Sequence, residues 1–326
     1  MYERVTEEKN LVEIISRDIY PILPEHIAQL LRKVNYKELR DLEEIRIRSE
    51  KPLMLQKRGQ DSFLNENGEL LTDYKKCVVI NRDEVLKTLQ LMSNYSIYAI
   101  EEELKQGFLT LIGGHRVGLV GRGVIEDNKI KTLKNISGIN IRIAREVKGC
   151  ANNVVKCIFA EGIKHTLIVS PPGCGKTTLL RDIIRTLSYG NMNLGLRGYK
   201  IGVVDERSEI AGCYQGIPQK DVGVRTDVLD ACPKARGIGM LLRSMSPEVI
   251  AVDEIGSNED SKAINDAINS GVKVIATAHG NNIDDIINKN GIRNLIEEKL
   301  FERIVILSRR NGPGTIEEII DNTKER

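Results

Sequence analysis

Residues 170 to 178 read Ser170-Pro171-Pro172-Gly173-Cys174-Gly175-Lys176-Thr177-Thr178, a run whose residue types suit it to hold phosphate. Glycines at 173 and 175 let several backbone N–H groups converge on anionic oxygens. A helix starting at this point adds partial positive charge. Lys176 supplies a point charge able to reach β- and γ-phosphates, and the Thr177 hydroxyl can complete a Mg2+ shell. The apolar run Thr166-Leu167-Ile168-Val169 precedes the loop, and Leu179, Leu180, Ile183, Ile184 and Leu187 follow at helical spacing. Strand, glycine-rich loop, Lys-Thr and helix, in that order, predict a nucleotide-binding P-loop of the Walker A kind. The usual pattern opens with Gly; here Ser170 stands in that place, and a small residue serves there if its φ stays negative.

Such a loop needs carboxylates opposite it. Glu248-Val249-Ile250-Ala251-Val252-Asp253-Glu254 is an apolar strand ending in two acids. In a parallel α/β sheet the carboxyl ends of the strands face the ligand crevice. Asp253 is therefore expected to hold Mg2+, through water, and Glu254 to polarise the attacking water as general base. A further buried-type strand, Val274-Ile275-Ala276-Thr277-Ala278-His279-Gly280, places Thr277 or His279 where it could sense a γ-phosphate. Phosphoryl transfer also benefits from a cation that meets charge developing on the γ-phosphate, often from a neighbouring subunit. Candidates are Arg207, Arg225, Arg236 and Arg243, between the P-loop and the acidic strand, and Arg116, Arg142 and Arg145 further upstream.

The elements that position these groups can be read from periodicity. From His165 onward, buried-type strands (166–169, 200–204, 249–252, 274–278, 303–307) alternate with helices. That alternation predicts a mostly parallel sheet with helices on both faces. Residues 301–319, interrupted by Asn311-Gly312-Pro313-Gly314, are expected to close the domain as a hairpin. Upstream, helical patterns over 11–19, 26–31 and 83–92 accompany alternating runs at 45–48, 52–55, 108–112, 115–124 and 140–145, with Gly113-Gly114 as a hairpin turn. Helices beside an antiparallel sheet make an α+β domain. The expected division is an α+β domain over 1–147 and an α/β ATP-binding domain over 148–326.

Composition is ordinary. The 326 residues are 41% hydrophobic with a net charge of +2, which suits two domains and points to no polyanionic partner. No run approaches the ~20 apolar residues of a membrane span. Residues 1–9 lack the basic-then-apolar signature of an export signal, so the cytoplasm is the expected compartment. Cys77, Cys150, Cys157, Cys174, Cys213 and Cys232 show no paired spacing and are expected to be free thiols. Cys174 is a possible oxidation target, though small-residue packing is its simpler role.

The P-loop, the Asp253-Glu254 strand and the Ala276-Thr277-Ala278-His279-Gly280 strand together resemble the RecA-type core of the type II/IV secretion ATPases. Further motifs resemble, within that superfamily, the stage III sporulation protein AA family of endospore-forming bacteria. They are Asn94-Tyr95-Ser96, Gly113-Gly114-His115-Arg116-Val117-Gly118, Asn140-Ile141-Arg142-Ile143-Ala144-Arg145-Glu146, Val204-Asp205-Glu206-Arg207-Ser208-Glu209 and Ser244-Met245-Ser246-Pro247-Glu248. His279 matches a histidine found after the corresponding strand in many secretion ATPases. The Asp before the catalytic Glu favours the sporulation branch, and Asp205-Glu206-Arg207 occupies a place comparable to an aspartate-rich segment of pilus motors. The resemblance implies a two-domain, ATP- and Mg2+-dependent motor that assembles as a homo-oligomeric ring, most simply a hexamer. It implies action in the mother cell, at the membrane facing the forespore, where it docks on a membrane-bound partner and powers a secretion-like channel complex.

Two other readings remain open. Related cores drive helicases and recombinases, but near-neutral charge, the absence of tryptophan and an aromatic content of 4% argue against nucleic acid as partner. A nucleotide-gated scaffold, with hydrolysis incidental to assembly, is the third.

Overall fold

A computed structural model describes residues 11–159, 162–191, 195–288 and 291–323. Residues 1–9, read above for an export signal, lie outside the described residues. Internal packing divides the chain into two units, Met1–Arg145 and Glu146–Arg326.

The first unit is built on an antiparallel sheet. Its strands are β1 (Leu42–Arg48), β3 (Met54–Lys57), β4 (Gln60–Leu64), β5 (Leu70–Leu71), β7 (Phe108–Thr110), β8 (Arg116–Glu126) and β9 (Lys129–Arg142), in the order β5-β4-β3-β1-β9-β8-β7. β2 (Lys51–Pro52) and β6 (Val79–Ile80) form a separate pair. The alternating run at 45–48 pairs with β3 on one side, where Ile45 faces Leu55, and with β9 on the other, where Ile45 faces Ile141. Helices Glu25–Lys33 and Arg82–Met92 turn Ile27, Leu30, Leu31, Val85 and Leu89 into the same core as Ile45, Ile47 and Ile141. Asn81 starts the second helix with a capping box shared with Glu84. The expected hairpin about Gly113-Gly114 is present, with Phe108 opposite Gly118. The motif His115 is wholly buried beneath it; its Nδ1 accepts the Ala144 N–H at 3.0 Å and its Nε2 lies 3.4 Å from Asp18.

The second unit carries one sheet of seven strands in the order β12-β11-β13-β14-β10-β15-β16. These are β10 (Thr166–Ser170), β11 (Ile201–Asp205), β12 (Thr226–Asp230), β13 (Val249–Val252), β14 (Lys273–His279), β15 (Arg303–Ser308) and β16 (Thr315–Asp321). Every neighbouring pair is parallel except β15 and β16, which close the sheet as the expected antiparallel hairpin. Successive residues of β10 face opposite cores: Ile168 joins Leu180, Ile183 and Leu187 of the helix Lys176–Tyr189, whereas Leu167 and Val169 join Ile264 of the helix Asn258–Asn269. Both faces are thus covered, which is why these strands read as continuous apolar runs. This is the RecA-like arrangement expected from the sequence. Its central strands β10, β13 and β14 are adjacent, so their carboxyl ends bring residues 170, 253–254 and 279 together.

Candidate functional site

β10 ends at the wholly buried Ser170, whose φ is not among the positive ones, so a residue with a Cβ is tolerated where the pattern usually has Gly. The chain then rounds the loop through two left-handed glycines, Gly173 at φ 70° and Gly175 at φ 87°, and Gly175 caps the helix Lys176–Tyr189. Any side chain at either position would pay the left-handed cost. Cys174 is buried with its Sγ 3.8 Å from the Pro172 carbonyl, the small-residue packing role. Pro171, Pro172, Gly173 and Thr178 line the rest of the loop at intermediate or full exposure.

Two hydrogen-bonded chains tie this loop to the acidic strand. In the first, the Thr177 hydroxyl donates to Asp253 Oδ2 at 2.6 Å, Thr277 Oγ1 donates to Asp253 Oδ1, and the same Thr277 oxygen accepts the Glu254 N–H at 2.9 Å. In the second, Lys176 Nζ donates to His279 Nδ1 at 3.0 Å, and His279 Nε2 meets Glu254 Oε1 at 2.8 Å. An ammonium can only donate, so Nδ1 must accept, and the proton of a neutral ring sits on Nε2 and points at Glu254. Arg207 donates to the other carboxylate oxygen of Glu254 at 2.9 Å.

Lys176 is 5% exposed, and burial lowers its pKa against the opposing pull of Asp253 and Glu254. Its ammonium also reaches the Ser170 and Pro171 carbonyls at 3.4 Å. Glu254 itself sits at φ 54°, uncommon for a non-glycine residue and of the kind that clusters at functional sites. The backbone turns sharply there, which returns the side chain to the row of strand ends while the Thr277 hydroxyl satisfies its N–H.

The residues fit a magnesium nucleotide. Among the described residues there is no group of three or more His, Cys, Asp or Glu that could form an all-protein metal cage. Mg2+ in phosphate sites needs less, commonly a carboxylate and a hydroxyl alongside phosphate oxygens and water. Asp253 and Thr177, already in contact, are a carboxylate and a hydroxyl of that kind.

The remaining candidates separate by location. Asp205 is almost fully buried; its two oxygens accept the Glu209 and Ala211 N–H groups, each at 2.8 Å, and burial raises its pKa. Arg181, one turn into the helix after the P-loop, donates to the Glu209 carbonyl at 2.6 Å and to that of Ile210. Glu206 pairs with Lys234. The segment 205–211 is thus a braced loop whose product is the placement of Arg207 on Glu254. Thr277, expected as a possible γ-phosphate sensor, instead spends its hydroxyl on Asp253 and the Glu254 backbone; it positions the acids.

Arg225 lies elsewhere. Its guanidinium donates to the Ser188 carbonyl at 2.8 Å, capping the far end of the helix Lys176–Tyr189. At 1.5 Å per residue that end is roughly 20 Å from the loop, and within this chain Arg225 has no reach to it. Arg236 and Arg243 sit exposed on the helix Lys234–Ser244. In the first unit, Arg142 donates to Glu44 at 3.0 Å, Arg145 donates to the Leu42 carbonyl at 3.1 Å, and Arg116 lies over the Phe108 ring at 4.0 Å.

A profile of the family described as "Sporulation stage III, protein AA" matches residues 15–326. The chain belongs to that family. It is 45% identical over 304 residues to the stage III sporulation protein AA of Bacillus subtilis (strain 168), covering 93% of this chain and 94% of that one. Among solved structures it resembles the ATPase DotB of Yersinia pseudotuberculosis, with a TM-score of 0.55 and 16% identity over 92% of this chain and 80% of that one. The pilus retraction motor PilT, solved with bound ADP, gives a TM-score of 0.55 and 16% identity over 86% of this chain and 76% of that one. DotB of Legionella pneumophila gives 0.52 at 16% identity, over 87% and 76%. At these identities the likeness concerns the fold: a sporulation stage III family member is built on the RecA-like frame of secretion ATPases. No helix among the described residues is long and apolar enough to cross a membrane.

Proposed function

We propose that this chain is a Mg2+-dependent ATPase, a motor that works as a homo-oligomeric ring, most simply a hexamer. In this reading it acts in the mother cell, peripheral to the membrane facing the forespore, and drives a secretion-like channel through a membrane-bound partner. The observation that carries the enzymatic part is the contact of Thr177 with Asp253 at 2.6 Å, alongside the Lys176–His279–Glu254 relay. The ring, the partner and the location rest on the family and on the fold shared with secretion motors.

Bound Mg2+ supplies charge neutralisation for the β- and γ-phosphates. The amides of 173–177 grip the phosphates, and Thr177 and Asp253 hold the metal. Lys176 exchanges its carbonyl and imidazole partners for phosphate oxygens, which releases His279 Nδ1. Glu254, held at one oxygen by His279 and at the other by Arg207, keeps a second lone pair on each oxygen with which to accept a proton from water. Arg207 remains the cation proposed to meet the transferring phosphate in its own chain, and Arg142 and Arg145 are proposed for that role from a neighbouring subunit.

Phosphate release from ATP with and without Mg2+ tests this. Lys176→Ala abolishes nucleotide binding, whereas Glu254→Gln binds Mg·ATP and turns over roughly 100-fold or more slowly, the usual scale of a lost general base. Undiminished turnover in Glu254→Gln removes Glu254 from its role.

A further inference from the structure

The turn between β15 and β16 lies directly on the outer rim of the P-loop. The Gly314 N–H donates to the Cys174 carbonyl at 2.8 Å, and a Cβ placed on Gly175 would stand 3.2 Å from the Gly314 nitrogen. The turn is therefore registered on the loop by a hydrogen bond and by close backbone approach. Immediately before it, Arg309 lies with a guanidinium nitrogen 3.6 Å and its central carbon 3.8 Å from where a Cβ on Gly173 would sit. Arg309 is exposed, and among the described residues its guanidinium has no hydrogen-bond or ion-pair partner. Its neighbour Arg310 differs, pairing with Glu317 at 3.5 Å.

An unpaired guanidinium held against the glycine of an anion-binding loop has one obvious complement, the anion. Resting on the nucleotide reading above, we propose that Arg309 contacts the β- and γ-phosphates of the nucleotide bound in its own chain. Lys176 reaches those oxygens from beneath the loop as a point charge. Arg309 meets them from the rim with a planar fork able to take two oxygens at once. A Cβ on Gly173 would meet this guanidinium at ordinary contact distance, so the glycine serves the left-handed turn of the loop and the guanidinium lies within reach of its rim. The clip from Gly314 to Cys174 then makes the β15–β16 hairpin the element that feels whether phosphate is present.

The experiment is equilibrium binding of ADP and of a non-hydrolysable ATP analogue, each with Mg2+, to the full chain. Arg309→Gln raises both dissociation constants on the order of tenfold to a hundredfold, the scale of a lost charged hydrogen bond. Arg309→Lys, which keeps charge without the fork, falls between Arg309→Gln and the unmodified chain. Arg310→Gln, with its partner on Glu317, binds as the unmodified chain does. Circular-dichroism melts confirm that each variant is folded. Equal affinities for Arg309→Gln and the unmodified chain overturn the role of Arg309 while leaving the nucleotide site intact. Failure of the unmodified chain to bind either nucleotide overturns both.

Discussion

Replacing Thr277 with valine tests how the acidic pair is held. The side chain is fully buried and valine nearly matches its shape, so the change isolates the hydroxyl. Two interactions go with it: the donation to Asp253 Oδ1, a hydrogen bond to a charged group worth about 1.5–3 kcal/mol, and the acceptance of the Glu254 N–H, which if left unpaired costs about 1–3 kcal/mol. The two share one oxygen and do not add fully; about 3 kcal/mol is the expected loss. For a unit of this size that corresponds to a fall in Tm of roughly 6–12 °C, read by calorimetry on the second unit's transition. Turnover falls as well, because Glu254 at φ 54° loses the partner that fixes its backbone. Thr277→Ser retains the hydroxyl and recovers most of both losses. A valine variant that melts within about a degree of the parent chain refutes the assignment of Thr277 as the brace of Asp253 and Glu254.

Three further outcomes are expected. His165 accepts the Val274 N–H through Nδ1 at 3.2 Å, and burial, with Lys273 nearby, pushes its pKa down to about 4. The unfolded chain then binds more protons than the native one between pH 6.5 and 4, so stability falls as pH drops through that window, by roughly 2–3 kcal/mol from this residue; urea titrations from pH 7 to 4.5 show the fall, and His165→Gln flattens it. Gly175→Ala places a Cβ at φ 87° and 3.2 Å from Gly314, which costs about 1–2 kcal/mol and weakens nucleotide binding, measurable by thermal melt and titration. Arg225→Ala uncaps the helix Lys176–Tyr189 by removing the donor to the Ser188 carbonyl, which lowers stability by about 1–2 kcal/mol; an unchanged melt excludes the capping role.

What the sequence discloses depends on how local the cause is. Asp253, Glu254 and His279 are readable because each sits at the end of an apolar run, and parallel strands align their carboxyl ends; Lys176 and Thr177 are readable because they open a helix directly after a glycine-rich loop. Gly173 and Gly175 are readable because only a left-handed loop requires them. β12 escapes the reading because Thr226–Asp230 is half polar at the sheet's edge and carries no buried-strand signature. Of the long β8–β9 ribbon, β8 is legible over 116–124 and β9 from 140, but residues 129–139 and the turn at Asp127-Asn128, with φ of 50° and 57°, escape because Lys129–Asn135 is mostly exposed and polar. Thr277 as a brace, Asp205 as a turn-former and Arg309 as a neighbour of Gly173 are all tertiary facts. Each depends on which strand end or turn lies across from which, and spacing along the chain does not encode that. Arg225 shows the converse: its position between the motifs suggests chemistry, and the fold carries it to the other end of a helix.

The central claim is that one triphosphate lies between the loop at 173–177 and the carboxylates of Asp253 and Glu254. A crystal structure with Mg2+ and a non-hydrolysable ATP analogue tests it most directly. The expected result is phosphate oxygens on the loop amides and Lys176, Mg2+ on Thr177 with Asp253 beside it, and Glu254 facing the γ-phosphate. Nucleotide bound away from the loop, or bound there with Asp253 and Glu254 turned from the metal and phosphates, contradicts it.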